Sequence, residues 1–405
     1  MRIALFSETY IPSINGVVSH VTVLKEGLEQ LGHEVLIVTT DPDTNRHYVK
    51  NRVLYCPGKK IKKLYDYGVA TPIHNKRYKY LRDFNPDVIH IHTEFSMGLF
   101  GLITAQMLKK PIIYTMHTMY DDYLYYFIPK GLEKVGASVF HKYIRTIANK
   151  ADMIIGVSIK SGQFLKSIGV KKKLEIIQNA VDVHRFSCEN VSANVIKQLK
   201  EKYKLPQDSF IGCFISRIAK EKSIDVLIKY SANYMRDNDK FYLMIVGDGP
   251  EKKDLEQLAQ SLGVADKVIF TGKILNKDIL PYYGLSDFYI TASLSEANSI
   301  SMLEAMSMGL PVLERHDEAN KDQIINGVNG YSFVDKSGLY RLLDNLYNMN
   351  EIEMSELKEN VRNSMVDRGA LDIANRVLEV YYKAIRLKKE KIKLKEAKSV
   401  NLGDK

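Results

Sequence analysis

Leu285-Ser-Asp-Phe-Tyr-Ile290-Thr-Ala-Ser-Leu-Ser295-Glu296-Ala-Asn-Ser-Ile-Ser-Met-Leu-Glu304-Ala-Met-Ser-Met-Gly309-Leu-Pro311-Val312 reads as strand, polar turn, helix and strand in succession. Leu285 to Ile290 is a short apolar run of the kind that forms a buried strand, closed by Thr291-Ala-Ser293. Glu296, Asn298 and Ser299 make a polar turn. Met302 to Met308 is an apolar helix that stops at Gly309-Leu-Pro311, where the next strand begins. Strand–helix–strand is the repeating unit of a parallel sheet. The helix start leaves backbone N–H groups unpaired, a natural seat for a phosphate. Either glutamate alone reads as a helix-end acid or a solvated residue. In this order, both can address one elongated ligand from one end of the helix.

The same alternation runs through the whole chain. Arg2–Phe6, Val35–Thr39, Val88–His92, Ile112–Met116 and Met153–Val157 are strand patterns, separated by helical ones such as Val17–Leu31, Gly98–Leu108 and Phe140–Lys150. After Asn179-Ala-Val-Asp182 it restarts with Phe210–Ile215, Tyr242–Val246, Val268–Thr271, Phe288–Ile290 and Pro311–Glu314. This predicts an α/β protein of two doubly wound, Rossmann-like domains, 1–185 and 186–375, followed by a C-terminal helix and basic tail over 376–405. Ligands of such sheets bind at the carboxyl ends of the strands, which predicts a cleft between the domains.

A chain of 405 residues, 45% hydrophobic and 26% charged, is an ordinary globular composition. No apolar run approaches the roughly 18 residues of a membrane span, and the N-terminus enters a strand pattern without a signal-peptide cleavage site. Cys56, Cys188 and Cys213 are odd in number and far apart, which suits a reducing compartment and no disulfide framework. Charge is uneven: 26 basic against 16 acidic residues in 1–185, 22 against 28 in 186–375, and 10 against 4 in 376–405. The basic first half points to an anionic partner, either membrane phospholipid or nucleic acid. Neither an RNP-type aromatic motif nor a zinc knuckle is present, so no nucleic acid is expected. Lys59-Lys-Ile-Lys-Lys63, Lys76-Arg-Tyr-Lys-Tyr-Leu-Arg82 and residues 130–150 mix cations with apolar side chains, as membrane-docking surfaces do.

Candidate chemistry clusters at strand ends. Arg217 and Lys222 follow a strand and can clamp a diphosphate from two sides. Gly16, in Ser13-Ile-Asn-Gly16, opens a helix and lets backbone approach a phosphate or sugar. His117 follows another strand. His90 and His92 alternate with Ile91, but no third ligand stands at metal-site spacing, so no metal is expected. Asp41-Pro-Asp43 and Asp237-Asn-Asp239 read as turns. A two-carboxylate glycosidase would use water and need no phosphate clamp.

The Glu296-x7-Glu304 spacing, with Arg217, Lys222 and His117, resembles the signature of retaining nucleotide-sugar glycosyltransferases of family 4, whose fold is GT-B. The motifs run in the family's order over residues 1–385, and include Val246-Gly-Asp-Gly-Pro250, Thr271-Gly-Lys273 and Asn326-Gly-Val-Asn-Gly330. The resemblance implies UDP-glucose as donor, with no tightly bound cofactor; any stimulation by Mg would come without a dedicated metal site. It places Arg217 and Lys222 on the diphosphate, Glu296 on the hexose, Glu304 on the ribose and His117 on the transferred sugar. Gly16, Lys273, Asn298, Ser299 and Ile300 complete the donor set. The chain departs from the pattern at Ala180, Ser216, Ser223 and Ser299, where relatives favour glycine (or asparagine, at 223).

His90-Ile-His-Thr-Glu-Phe-Ser-Met-Gly98 and Tyr114-Thr-Met-His-Thr-Met-Tyr-Asp-Asp-Tyr123 are most similar to the branch that glucosylates diacylglycerol. That implies a peripheral enzyme on the cytoplasmic, inner face of the cell membrane, touching lipid or acceptor through Lys59, Lys60, Lys62, Lys63, Lys76, Arg77, Lys79, Tyr120 and Tyr123. A polysaccharide, polyprenyl-linked glycan or protein acceptor stays open as an alternative. So does a non-catalytic basic scaffold.

Overall fold

The computed structural model describes residues 1–13, 15–61, 67–119, 121, 133–317 and 321–403. The chain divides into two compact units, Met1–Ala180 with Ala370–Lys405, and Val181–Gly369.

The first unit runs β1 (Arg2–Phe6), α1 (Gly16–Gln30), β2 (Glu34–Asp41), β3 (Tyr48–Lys50), β4 (Val53–Pro57), β5 (Lys59–Ile61), β6 (Tyr67–Val69), α2 (Asn75–Phe84), β7 (Val88–Ile91), α3 (Ser96–Met107), β8 (Ile112–Met116), α4 (Glu133–Lys150), β9 (Met153–Gly156), α5 (Ile159–Ser167) and β10 (Leu174–Ile176). Its sheet has the order β10-β9-β8-β7-β1-β2-β4-β3. All neighbours are parallel except β3 against β4. β5 and β6 form a separate antiparallel ribbon. The central strands are buried on both faces, so they read as continuous apolar runs and not as alternating ones. β3 and β5 are short and largely exposed, which explains why no apolar pattern announced them.

The second unit runs α6 (Ala193–Lys202), β11 (Phe210–Ile215), α7 (Ile224–Asp237), β12 (Phe241–Val246), α8 (Lys252–Ser261), β13 (Val268–Phe270), α9 (Leu280–Gly284), β14 (Phe288–Thr291), α10 (Ile300–Ser307), β15 (Val312–Arg315), β16 (Gly330–Phe333), α11 (Lys336–Asn348) and α12 (Glu351–Asn363). The sheet is wholly parallel, ordered β13-β12-β11-β14-β15-β16. β11 shows how it is covered: Phe210 and Phe214 enter one core, Ile211, Cys213 and Ile215 the other. Two cores on opposite faces of one sheet define a doubly wound domain.

The last helix, α13 (Ala370–Gly403), belongs to the first unit. Ile373, Ala374, Val377, Leu378, Tyr381 and Ala384 form a three-and-four-spaced stripe buried in that unit's core. The cations beyond it are also engaged. Lys383 pairs with Glu175 at 3.2 Å and Lys391 with Asp152 at 2.6 Å, while Arg376 Nη2 donates to the Ile176 carbonyl at 3.0 Å. The predicted split at 375/376 therefore lies inside a continuous helix, and the tail is anchored as far as Lys391. Its Lys/Glu-rich composition had concealed the apolar stripe at its start.

Candidate active site

In the second unit, β14 ends at Thr291 and the chain turns through 292–299 into α10. Ser299 caps that helix: its backbone is extended (φ −71°, ψ 118°) and its hydroxyl accepts from the Met302 N–H at 3.4 Å. This conformation does not need glycine, so the serine is accommodated and adds a cap. Glu296 lies just before, with its Oε1 2.5 Å from Lys222 Nζ. Lys222 is carried by a tight turn, Lys220–Lys222, after β11. Ser223, which follows, holds φ 50° and ψ 37°, a left-handed conformation that glycine or asparagine adopts at less cost. Arg217 is ion-paired with the buried carboxylate of Glu221.

Glu304 faces inward. It is buried, and the Tyr283 hydroxyl donates to its Oε2 at 2.6 Å. Burial pushes the carboxyl up to about 7, with the Tyr283 hydrogen bond and the Arg185 charge opposing the rise. Asn298 is also buried, its Nδ2 donating to Gln323 Oε1 at 3.1 Å. Ile300 opens α10 as a buried residue, and Lys273 is exposed beyond β13. The Gly247-Asp-Gly249 turn packs against the Arg217 loop. A Cβ on Gly247 would fall 1.9 Å from the Ser216 carbonyl oxygen, and one on Gly249 2.1 Å from that of Ile218. The Ile218 N–H donates to the Asp248 carbonyl at 3.0 Å, so only glycine permits this backbone-to-backbone support.

In the first unit, four histidines meet. His117 Nδ1 lies 3.2 Å from Asn179 Oδ1, and its Nε2 lies 3.0 Å from His92 Nδ1. The Ala180 N–H donates to His20 Nδ1 at 3.1 Å. His90 is held by the Tyr381 hydroxyl at 2.8 Å and the Thr115 hydroxyl at 2.6 Å. Burial drives all four rings toward neutrality: His117 to about 4, the others well below the ordinary histidine value. Neighbouring rings push His20, His90 and His92 the same way.

The expectation that no third ligand joins His92 needs correcting, because nitrogens of His20, His92 and His117 lie within 4.8 Å of one another. Sequence spacing hid this, as the three come from α1 and the ends of β7 and β8. Their hydrogen bonds decide the chemistry. With Asn179 Oδ1 accepting, His117 carries its proton on Nδ1 and presents a bare Nε2 to His92 Nδ1–H. His20 Nδ1 already accepts a backbone proton, which leaves the hydrogen on Nε2. A metal ligand needs a bare nitrogen there. The set is therefore a chain of neutral imidazoles and not a ready three-nitrogen site. Both nitrogens of His117 are engaged, so a sugar hydroxyl that reaches it exchanges with His92 or Asn179.

Gly16 opens α1 and is exposed, beside the cap Asn15, whose Oδ1 accepts from the Val18 N–H at 2.9 Å. Of the lipid-facing set, Lys59, Lys60, Lys76 and Lys79 are exposed, with Lys60 paired to Asp43 at 2.5 Å. Arg77 is a correction. It is 1% exposed, donates from Nη2 to the carbonyl and hydroxyl oxygens of Thr71, and sits 4.6 Å over the Phe100 ring. Its position on the Leu81 side of α2 points it into the core, not toward a membrane. Lys62, Lys63, Tyr120 and Tyr123 lie outside the described residues. On α4, Lys134, Lys142 and Arg145 line a shallow basic groove with His141, near the exposed Val135 and Val139. Asp41-Pro-Asp43 is a turn, with Asp41 Oδ1 accepting from the Asp43 N–H at 2.9 Å. Tyr283, His20 and Gln323 had no local signature, since each acts through a partner distant in sequence, whereas Glu221 pairs with Arg217 only four residues away.

Two doubly wound units, one with a basic pair and a glutamate at a capped helix start, define a GT-B glycosyltransferase. The profile of Glycosyltransferase Family 4 matches residues 14–185, and that of Glycosyl transferases group 1 matches 195–364. The alpha-monoglucosyldiacylglycerol synthase of Acholeplasma laidlawii is 32% identical over 82% of this chain and 85% of its own. The Streptococcus pneumoniae protein of the same name is 32% identical over 95% and 86%. The chain belongs to glycosyltransferase family 4 and is a hexosyltransferase. Among solved structures, Anabaena HepE in complex with UDP superposes with a TM-score of 0.71 at 17% identity, covering 94% of this chain and 98% of that one. Sucrose-phosphate synthase of Thermosynechococcus elongatus gives 0.73 at 19% identity, covering 94% and 98%. These two likenesses establish the fold.

Proposed function

We propose that the chain transfers glucose from UDP-glucose to diacylglycerol with retention of configuration, at an anionic membrane surface. The observation that carries this reading is the Lys222–Glu296 pair at the capped start of α10, in a chain 32% identical to two enzymes named for glucosylating diacylglycerol. Arg217 and Lys222 hold the diphosphate, Glu296 the hexose hydroxyls and Glu304 the ribose. In this structure Arg217 pairs with Glu221, Lys222 with Glu296, and Glu304 accepts from the Tyr283 hydroxyl. His117, neutral at physiological pH, meets the transferred sugar as a hydrogen-bonding group rather than a cation.

Retention without a protein nucleophile follows if the acceptor hydroxyl attacks the sugar carbon on the face the diphosphate leaves. The new C–O bond forms as the sugar–phosphate bond breaks, and the hydroxyl proton passes to the departing phosphate oxygen. The protein contributes alignment and charge stabilisation. Among the described residues no helix is long and apolar enough to cross a membrane. Lys59, Lys76 and Lys79, with Ile73, Tyr80 and the α4 face, supply the mixed cationic and apolar surface that docking on anionic lipid requires.

The test is incubation with labelled UDP-glucose and vesicles containing diacylglycerol and phosphatidylglycerol. An α-glucosidase-sensitive glucolipid is expected. Label in a glycan or protein instead, with none in lipid, overturns the acceptor; a β-linked product overturns retention.

A further inference from the structure

The turn that carries Glu296 is braced by a residue remote in sequence. Gln323 is buried; its Nε2 donates to the Ala297 carbonyl at 2.9 Å and its Oε1 accepts from Asn298 Nδ2 at 3.1 Å. Its own carbonyl accepts from Asn329 Nδ2 at 3.2 Å. Asn329 in turn accepts the Ile325 N–H on Oδ1 at 2.7 Å, and its carbonyl takes the Val312 N–H of β15 at 3.2 Å. Asn326 Oδ1 accepts the Ser332 N–H of β16 at 2.7 Å. The Asn326-Gly-Val-Asn-Gly330 turn is thus fixed to two strands of the sheet, and Gln323 extends from it to the two residues between Glu296 and the Ser299 cap.

Both groups that Gln323 engages belong to buried residues, and a buried polar group left unpaired is costly. One side chain serves a donor and an acceptor on successive residues, so it selects one conformation of the turn. We propose that Gln323 is a positioning residue for sugar transfer: it fixes the Ala297–Asn298 backbone so that Glu296 meets the hexose, while nucleotide binding rests on other residues. This inference depends on the donor-holding role of Glu296 given above.

The test compares full-length Gln323→Ala, Gln323→Met and Gln323→Glu with wild type in the vesicle assay, together with calorimetric binding of UDP alone. Since a displacement of about 1 Å can cost on the order of 100-fold in rate, kcat should fall about 10- to 100-fold in the Ala and Met variants. KM for UDP-glucose and Kd for UDP should stay within about threefold of wild type, because the expected loss lies in alignment rather than uniform binding. Gln323→Glu keeps the acceptor for Asn298 but loses the donor to Ala297 while ionised, and regains an O–H donor when protonated. Its kcat relative to wild type should climb as pH falls from about 8 to about 5.5, whereas that of Gln323→Met stays flat. The proposal is overturned if Gln323→Ala or Gln323→Met keeps kcat within twofold of wild type. A flat pH ratio for Gln323→Glu overturns it too, and decides the matter should the other two variants not fold. Wild-type inactivity in the same assay would instead refute the donor-transfer reading itself.

Discussion

Replacing Glu304 with glutamine should remove a pH dependence of stability. The carboxyl is 6% exposed and held at about 7 in the folded chain, against an ordinary value of 4.5. A raised carboxyl pKa means that the folded state binds the proton more tightly than the unfolded one. Stability from this group is therefore fully present below about pH 4.5 and is lost as pH rises through about 7. At 1.36 kcal/mol per unit, the loss across that window is about 3 kcal/mol. Glutamine keeps an oxygen for the Tyr283 hydroxyl and does not titrate. Urea unfolding of wild type and Glu304→Gln should be measured between pH 5 and 8, taking the difference at each pH so that the buried histidines cancel. The variant should gain on wild type steadily with pH, by about 2 to 3 kcal/mol in all. Glucosyl transfer should fall in the same variant, because glutamine puts an NH2 donor where Glu304 offers the ribose a carboxyl oxygen. A difference in stability that is constant across the range would refute both the burial argument and the assignment of the proton.

Three further outcomes follow from the geometry. Lys222→Met should lower kcat by about 10²- to 10³-fold, the usual loss for one transition-state charge partner, with an unchanged circular dichroism spectrum; full activity would remove it from the site. Ser223→Gly relieves a left-handed serine and should raise stability by about 0.5 to 1 kcal/mol, read as a higher thermal midpoint, with transfer retained. Lys76→Glu with Lys79→Glu should weaken binding to phosphatidylglycerol vesicles by about 1 kcal/mol per cation, whereas Arg77→Ala should lower stability and leave vesicle affinity nearly unchanged.

The architecture was legible because both sheets are covered on two faces, which writes each strand as an unbroken apolar run ended by Gly, Pro or a polar turn. β11 and β14 are such runs. What escaped notice was mostly short, exposed or long-range, although β4, largely buried, went unpredicted too. β3 and β5 carry no apolar pattern. α13 hides its buried stripe ahead of a run of Lys and Glu. Arg77 shows the limit of composition: it sits among lysines, yet a 100° step around α2 turns it from the exposed face to the buried one. Side-chain pairing was out of reach wherever the partners lie in different elements, as with Glu304–Tyr283, Asn298–Gln323 and His92–His117.

Those pairings also bear on what the two glutamates are for. A glycosidase sets one carboxyl as acid and the other as base or nucleophile, and the two must flank the same scissile bond. Here the environments differ in kind. Glu296 is partly exposed and tied to an ammonium, whereas Glu304 is buried, hydrogen-bonded by a phenol and raised toward neutrality. A raised pKa would suit an acid catalyst, but Tyr283 already occupies one oxygen of Glu304 from inside the domain. Ser299 lies between the two glutamates in sequence and caps α10 with its hydroxyl, and on the proposed reading the remaining N–H groups of the helix start face the donor phosphates. A carboxylate tied to an ammonium and a buried one hydrogen-bonded by a phenol are not the matched acid and base of a glycosidase, which supports the proposed role of the two in holding the donor.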